Sequence, residues 1–148
     1  MTDVLLWKVF GRALVAPAIF GTPRDLDAIA RTMAEEIPSV MDQLERWAPA
    51  ADFALGTTPG LADISIASHF AHLRWARQTV DPVRWPQACA WIDRVERLSP
   101  LRTLNGIGEK LLRVPPDGHR PLLQSMGIAV TAETVGGPSP RRGPMTAI

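Results

Sequence analysis

The stretch from Thr57 to Ala76 constrains the fold most strongly, because at helical spacing it is apolar on nearly every side. A helix that is apolar nearly all round is one that other helices surround. The stretch is too short and too polar to cross a bilayer, which takes about 20 mostly apolar residues. We therefore predict that it is the buried central helix of an all-α domain. Two apolar stripes line it: Leu61, Ile64, Ala67, Ala71 and Trp75, and beside them Ile66, Phe70 and Leu73.

The start of this helix carries a capping signal. With Gly60 as N-cap, Asp63 is the third helical residue, and its carboxylate reaches back to the Gly60 backbone N–H as in half a capping box. The same position favours an anion, because the N-terminal end of a helix is positive. We therefore assign Gly60 and Asp63 a structural role as an N-cap box.

Two helices are predicted before the central one. Residues 3–16 form the first, which Pro17 and Gly21 should end. The second begins at Thr22 as N-cap and runs to about residue 47, with apolar residues three or four apart. Pro38 should kink it near Glu36, because proline lacks the N–H that a helix interior needs.

Shorter helices are predicted after the central one. Trp85-Pro86 opens one, Ser99-Pro100 opens the next, and Asp117 caps a short helix that runs through residue 126. The chain beyond is rich in Thr, Gly, Pro and Arg without an apolar period, which predicts an extended tail. We accordingly divide the sequence into a helical domain over 1–114 and a short helix with a tail over 115–148.

Two of these segments resemble a known family. GLADISIASHF, followed by RWPQACAWIDRVERLSP, is similar to the C-terminal helical domain of the glutathione S-transferases. That family opens its central helix with a Ser/Thr-x-x-Asp box and follows it with a Pro-started helix bearing a Trp. Here the box Ser or Thr is Gly60, and glycine is worse than serine as an N-cap by only a few tenths of a kcal/mol. The resemblance spans about residues 4–113.

The resemblance implies a location for a binding pocket. In the family the first helix borders the pocket for the apolar co-substrate and also meets the partner subunit. This places Trp7, Phe10, Gly11 and Leu14 near such a pocket. A core helix without a ligand is the simpler interpretation of the same apolar residues.

The resemblance also implies what the chain lacks. In the family a separate thioredoxin-like domain holds glutathione and supplies the activating Ser, Tyr or Cys, and we expect that domain to be missing here. The chain is then a glutathione S-transferase-like helical domain, catalytic only with that domain, which is either on a separate chain or lost from this one. The expected partners are a second copy of the chain in a homodimer or the thioredoxin-like domain. Glutathione would be a co-substrate, and the chain itself would hold no cofactor. The alternatives are a non-catalytic protein-interaction module and a carrier of apolar small molecules.

Composition excludes some classes of partner. The net charge of +1 offers no electrostatic argument for binding nucleic acid or a membrane. The single cysteine, Cys89, excludes an internal disulfide and fits a reducing cytoplasm, and the N-terminus does not have the pattern of a signal peptide. We expect a cytoplasmic protein.

Three weaker signals carry no predicted site. Gly106-Ile107-Gly108 lacks the third glycine and the preceding strand of a dinucleotide fingerprint. His69 and His72 could share a metal at i, i+3, but further ligands are not evident, so we predict no metal. Cys89 has small apolar neighbours, and an activated thiolate needs a positive setting. We expect an inert core thiol and no catalytic residue.

Overall fold

A computed structural model of the chain describes residues 1–130, and the predicted tail from residue 131 onward lies outside them. Every regular element in the described part of the chain is helical, which confirms the all-α prediction. The structure divides into two compact units, Met1–Asn105 and a second that begins at Gly106. In residues 1–130 no helix is both long enough and apolar enough to cross a bilayer.

Short connections separate most of the helices along the described chain. From the N-terminus they are the π-helix Asp3–Val15, then α1 Ala16–Phe20, α2 Leu26–Glu35, α3 Ile37–Trp47, α4 Leu61–Trp75, α5 Pro86–Glu96, α6 Ser99–Leu111, the 3-10 turn Pro116–Gly118 and α7 His119–Ser125.

The N-terminal helix is a π-helix, and the helical chain continues after it through α1, farther than predicted. Its turns are of the i→i+5 type, as in the bond from the Ala16 N–H to the Gly11 carbonyl. The prediction that Pro17 ends it is wrong, because Pro17 lies in the first turn of α1, where a missing N–H costs nothing. Gly21 ends the helical run, as predicted, and its φ of 64° is left-handed, a conformation that favours glycine.

The second predicted helix begins later than expected and is divided in two. Asp25 is the N-cap of α2, because its Oδ1 accepts the Ala28 N–H at 2.9 Å, so the assignment of Thr22 as the cap was wrong. The kink is confirmed: α2 ends at Glu35 and α3 starts at Ile37, with Pro38 in its first turn. Proline is tolerated there, since a first-turn N–H has no helical partner.

The central helix α4 packs between the N-terminal helix and α5. The prediction that it is buried on all sides was wrong at its first turns, where Leu61 is 83% exposed and Ile64 is 39% exposed. Within the described residues, only the N-terminal helix and α5 pack extensively against α4. Neither covers the side of α4 that carries Leu61 and Ile64. Its inward face joins one apolar core with the N-terminal helix, α2, α3 and α5. Members of this core include Leu5, Val9, Ile29, Ile37, Met41, Phe70, Leu73, Trp91 and Val95.

Acidic side chains from α3 hold the start of α5. The helix begins at Pro86, as predicted. The two carboxylate oxygens of Glu45 accept the N–H groups of Gln87 at 3.0 Å and Ala88 at 2.8 Å. Asp42 accepts the indole N–H of Trp85 at 2.6 Å. A distant carboxylate therefore satisfies the first amides of α5, which have no partner within the helix.

The second unit contains a histidine that closes a helix end. The Nε2 of His119 lies 3.0 Å from the Leu111 carbonyl oxygen and 3.2 Å from that of Val114. Unpaired carbonyls at a helix C-terminus are satisfied by donors of this kind. The predicted cap Asp117 lies inside the 3-10 turn, and Gly118 precedes α7. That assignment was therefore wrong, because the chain makes an extra turn before the helix begins.

Asp63 is a buried carboxylate with three N–H donors. It is 1% exposed. Its Oδ2 accepts the Gly60 N–H at 2.8 Å, which is the predicted cap contact. Its Oδ1 accepts the Ala54 N–H at 2.9 Å and the indole N–H of Trp91 at 2.7 Å. Burial pushes the pKa of Asp63 upward, but these hydrogen bonds outweigh it and hold the pKa below its usual value.

Replacing Asp63 by alanine should destabilise the protein strongly. The change leaves three N–H donors without their acceptor, and hydrogen bonds to a charged group contribute about 1.5–3 kcal/mol each. We expect a loss of at least about 3 kcal/mol in the free energy of unfolding, measured by urea denaturation.

Two matched variants separate the causes. Asp63→Asn keeps the shape and one acceptor oxygen, so it should lose less stability than Asp63→Ala. Gly60→Ser should stabilise by a few tenths of a kcal/mol, because Gly60 is extended and a Cβ there lies 3.5 Å from Asp63, an ordinary contact. Equal stability of Asp63→Ala and the native chain would show that the carboxylate does not hold the helix start.

Candidate functional site

The four residues of the predicted pocket differ in their exposure. Trp7 is 46% exposed, whereas Phe10 is buried at 9% and Gly11 is also buried. Leu14 is partly buried and packs against the core. Of the four, therefore, Trp7 presents the surface that a ligand or partner could contact, whereas Phe10 lies in the interior.

Gly11 allows the Trp7 ring to lie close to the helix backbone. A Cβ at Gly11 would lie 3.2 Å from the Leu6 carbonyl oxygen and 3.6 Å from the Trp7 ring. The first distance is tighter than almost all real Cβ contacts, so a side chain here requires the helix to shift. Glycine at this position thus sets the width of the turn beneath the indole.

An aromatic cluster joins the N-terminal helix to α4. We define it as Phe10, His72 and Trp75. The ring of Phe10 lies 4.8 Å from that of His72 and 6.1 Å from that of Trp75, and the His72 and Trp75 rings are 5.4 Å apart, edge to face. Tilted and edge-to-face pairs at these separations are favourable beyond their buried area. The cluster therefore fixes the two helices side by side next to Trp7.

His69 supplies a polar contact between the same two helices. Its Nδ1 donates to the Ser65 carbonyl at 2.7 Å, which leaves Nε2 to accept the Thr2 hydroxyl at 2.9 Å. The His69 and His72 rings meet edge to face at 6.2 Å. His69 thus lies near the surface and is hydrogen-bonded through both ring nitrogens, whereas His72 packs against the rings of Phe10 and Trp75.

His72 is held in its neutral form. Its Nδ1 is buried and has no hydrogen-bond partner within residues 1–130. Burial lowers the pKa of His72, because the imidazolium loses hydration there, and the neighbouring His69 lowers it further. A neutral imidazole of this kind adds an apolar surface to the cluster rather than a charge.

Two further candidates are the possible metal ligands and the single cysteine. In the described part of the chain, no group of three or more His, Cys, Asp or Glu side chains is placed to hold a metal. Burial raises the pKa of the Cys89 thiol, and the carboxylates of Glu45 and Asp81 raise it further. At neutral pH Cys89 therefore stays a thiol, which is the poorly reactive form.

Comparison with protein-family models, with curated proteins and with solved structures finds no match. The resemblance to the glutathione S-transferases therefore remains a hypothesis that depends on the residues of this chain. Sequence reasoning missed the packing of His72 against Phe10. The signal that could have found it was the i, i+3 spacing that puts His72 and Trp75 on one face of α4.

The stability of the protein should fall as the pH drops below the unfolded pKa of His72. Because the folded pKa is lowered from 6.5, the unfolded chain binds the proton more readily. The contribution of the neutral His72 to the free energy of unfolding is complete above about pH 6.5 and is lost as the pH falls through the folded pKa. Over that range the free energy of unfolding changes by at most about 1.4 kcal/mol per pH unit. Urea denaturation between about pH 8 and pH 5 measures it.

His72→Phe is the matched variant for this measurement. It keeps an aromatic ring against Phe10 and Trp75 but cannot take up a proton. Subtracting its pH profile from that of the native chain removes the contributions of all other groups. Parallel profiles would contradict the assignment of a buried neutral imidazole.

Proposed function

We propose that this chain is the helical domain of a glutathione S-transferase-like protein, in which it borders the pocket of an apolar co-substrate. The observation that supports this most is the bond between Asp63 and the indole N–H of Trp91, at 2.7 Å. The resemblance depends on two separate segments of sequence, and this bond joins them. Asp63 belongs to the box that opens the central helix, and Trp91 belongs to the Pro-started helix that follows it.

The surface around Trp7 supports the position of the pocket. The exposed indole of Trp7, on the same helix as Phe10 of the aromatic cluster, offers an apolar face on the N-terminal helix. Pockets for small molecules are lined mainly by apolar and aromatic side chains with a few polar groups, and His69 and Thr2 supply such groups nearby. A thioredoxin-like domain or a second copy of the chain would then complete the pocket.

Conjugation chemistry needs a group that activates the glutathione thiol. A glutathione thiol at its ordinary pKa of about 8.5 is only a few per cent thiolate at neutral pH, so an enzyme must lower that pKa or deprotonate the thiol. The sequence contains no Tyr, and the pKa of its single cysteine is raised. In this proposal the activating residue belongs to the thioredoxin-like partner domain.

The 148 residues alone should neither bind glutathione with useful affinity nor conjugate it to an electrophile. The physical reason is that, in this proposal, the residue that activates the glutathione thiol belongs to the partner domain. Titration calorimetry with glutathione and a conjugation assay with chlorodinitrobenzene measure both properties. A conjugation rate well above the uncatalysed one, from this chain alone, would contradict its assignment as part of an enzyme that a second domain completes.

The Trp7 surface should bind an apolar probe or a second copy of the chain. Exposed aromatic area of this kind is energetically favourable to cover. We expect an uncharged naphthylamine dye to bind, or the chain to self-associate at high concentration, and Trp7→Ala to weaken either process. Fluorescence titration and sedimentation velocity measure them.

Trp47→Ala is the control for this experiment. Trp47 lies at the end of α3 and is 65% exposed, so its removal deletes a comparable indole from another surface. Trp47→Ala should leave dye binding and self-association unchanged. A strictly monomeric chain with no dye binding would contradict the placement of a pocket at Trp7.

A protein-interaction module is the second candidate. Leu55 is 89% exposed and Leu61 is 83% exposed, and both lie next to residues that Asp63 holds. Exposed leucines beside a rigid helix start are suited to contact a partner protein. Self-association that persists in the Trp7→Ala variant would favour this function over the first.

A further inference from the structure

A cleft of about 380 Å³ lies on the other side of α4 from the aromatic cluster. Phe70 and Leu73 of α4 and Ile92 of α5 form its apolar wall, and Val80 comes from the segment that joins the two helices. The volume is within the range of small-molecule sites. Because a cavity of about 150 Å³ binds benzene, this one suits a molecule of roughly 15 non-hydrogen atoms.

The charged groups at the cleft are already paired. Arg74 forms an ion pair with one carboxylate oxygen of Glu96, and Asp93 accepts from Arg97 at 2.8 Å. A charged ligand in the cleft would meet apolar walls and would have to compete with one of these pairs, at the cost of its own hydration. The cleft therefore favours an uncharged ligand.

One acceptor in the cleft wall has no donor. The Oε1 of Glu96 is buried without a hydrogen-bond partner within residues 1–130, while Oε2 holds Arg74. A buried polar atom without a partner carries an energetic cost that a ligand N–H or O–H can remove. This oxygen is closed to water, so the carboxylate must turn toward the ligand to accept that bond.

We propose that this cleft binds an uncharged aromatic molecule that carries a single O–H or N–H donor, of the phenol or anilide class. The aromatic part lies against Phe70, Leu73 and Ile92, and the donor faces Glu96. The site is separate from the Trp7 surface, and its existence does not depend on any role in glutathione conjugation.

Cys89 provides the measurement. It lines the cleft, is partly buried and is the single cysteine of the chain, so a thiol reagent labels this position alone. The rate of alkylation by N-ethylmaleimide, followed by mass spectrometry at fixed pH, should fall saturably as para-phenylphenol is added. Three arms test the chemistry of the ligand and the location of the site.

The first arm compares ligands. Para-methoxybiphenyl has similar size but no donor, so it should protect Cys89 about tenfold more weakly than para-phenylphenol. Para-phenylbenzoate carries a negative charge and should not protect. Equal protection by the phenol and the ether would overturn the role of Glu96, and equal protection by the benzoate would overturn the preference for uncharged ligands.

The second arm tests the location. Val80→Trp places an indole in the cleft at a partly buried position and should abolish protection by para-phenylphenol. Val83→Trp is the control, because Val83 is 87% exposed and does not line the cleft, so protection should persist. Protection that is unchanged in Val80→Trp, or that is absent in the native chain, would overturn the site.

The third arm keeps this site distinct from the proposed function. Trp7→Ala should leave the protection of Cys89 unchanged, because Trp7 lies on the N-terminal helix beyond the opposite face of α4. Loss of protection in that variant would show that the phenol acts at the Trp7 surface and would overturn the cleft as its site. Failure of the dye experiment at Trp7 has no effect on this result.

Discussion

The buried carboxylate of Asp63 is the interaction on which the rest of the first unit depends. An isolated charge in an apolar interior is costly, and this one is stable because three N–H groups converge on it. Each donor comes from a different part of the chain: the loop at Ala54, the start of α4 at Gly60, and α5 at Trp91. One side chain therefore sets the position of a loop, the first turn of the central helix and the helix packed beside it.

A carboxylate distant in sequence also satisfies the start of α5, where local capping is weak. Trp85 offers no capping side chain to α5, and Glu45 of α3 accepts its first amides instead. The negative charges of these carboxylates also interact favourably with the positive N-terminal ends of α4 and α5. Capping from a distant residue costs more chain entropy than a local cap, but it also fixes the packing of two helices. The orientation of α3, α4 and α5 is therefore set by polar contacts as well as by the core.

Sequence reasoning succeeded where a single residue decides the local backbone. Pro86, Pro38 and the Gly60–Asp63 spacing each act within one helical turn, and the structure places them as predicted. It failed where the outcome depends on contacts distant in sequence. The i→i+5 turns of the N-terminal helix, the exposure of Leu61 and the pairing of Phe10 with His72 all depend on which helices lie beside which. Apolar periodicity identifies a face but not the neighbour that covers it.

The central helix presents two distinct sides because of the spacing of its residues. His69, His72 and Trp75 lie toward the N-terminal helix, while Phe70, Leu73 and Arg74 lie toward the cleft and α5. The residues of the first set follow one another at intervals of three, and Leu73 and Arg74 follow Phe70 by three and four positions. The two sets therefore lie on opposite sides of the helix. Because Asp63 anchors the start of α4 to α5, a ligand in the cleft would contact helices that are already fixed.

A partner at Trp7, by contrast, would contact a helix that is joined to α4 through ring contacts and the Thr2–His69 bond. These contacts are individually weaker than a charge-assisted hydrogen bond in the interior. The N-terminal helix is nevertheless anchored in the core by Leu5 and Val9, which are fully buried, so the surface at Trp7 also lies on a helix that is fixed from within.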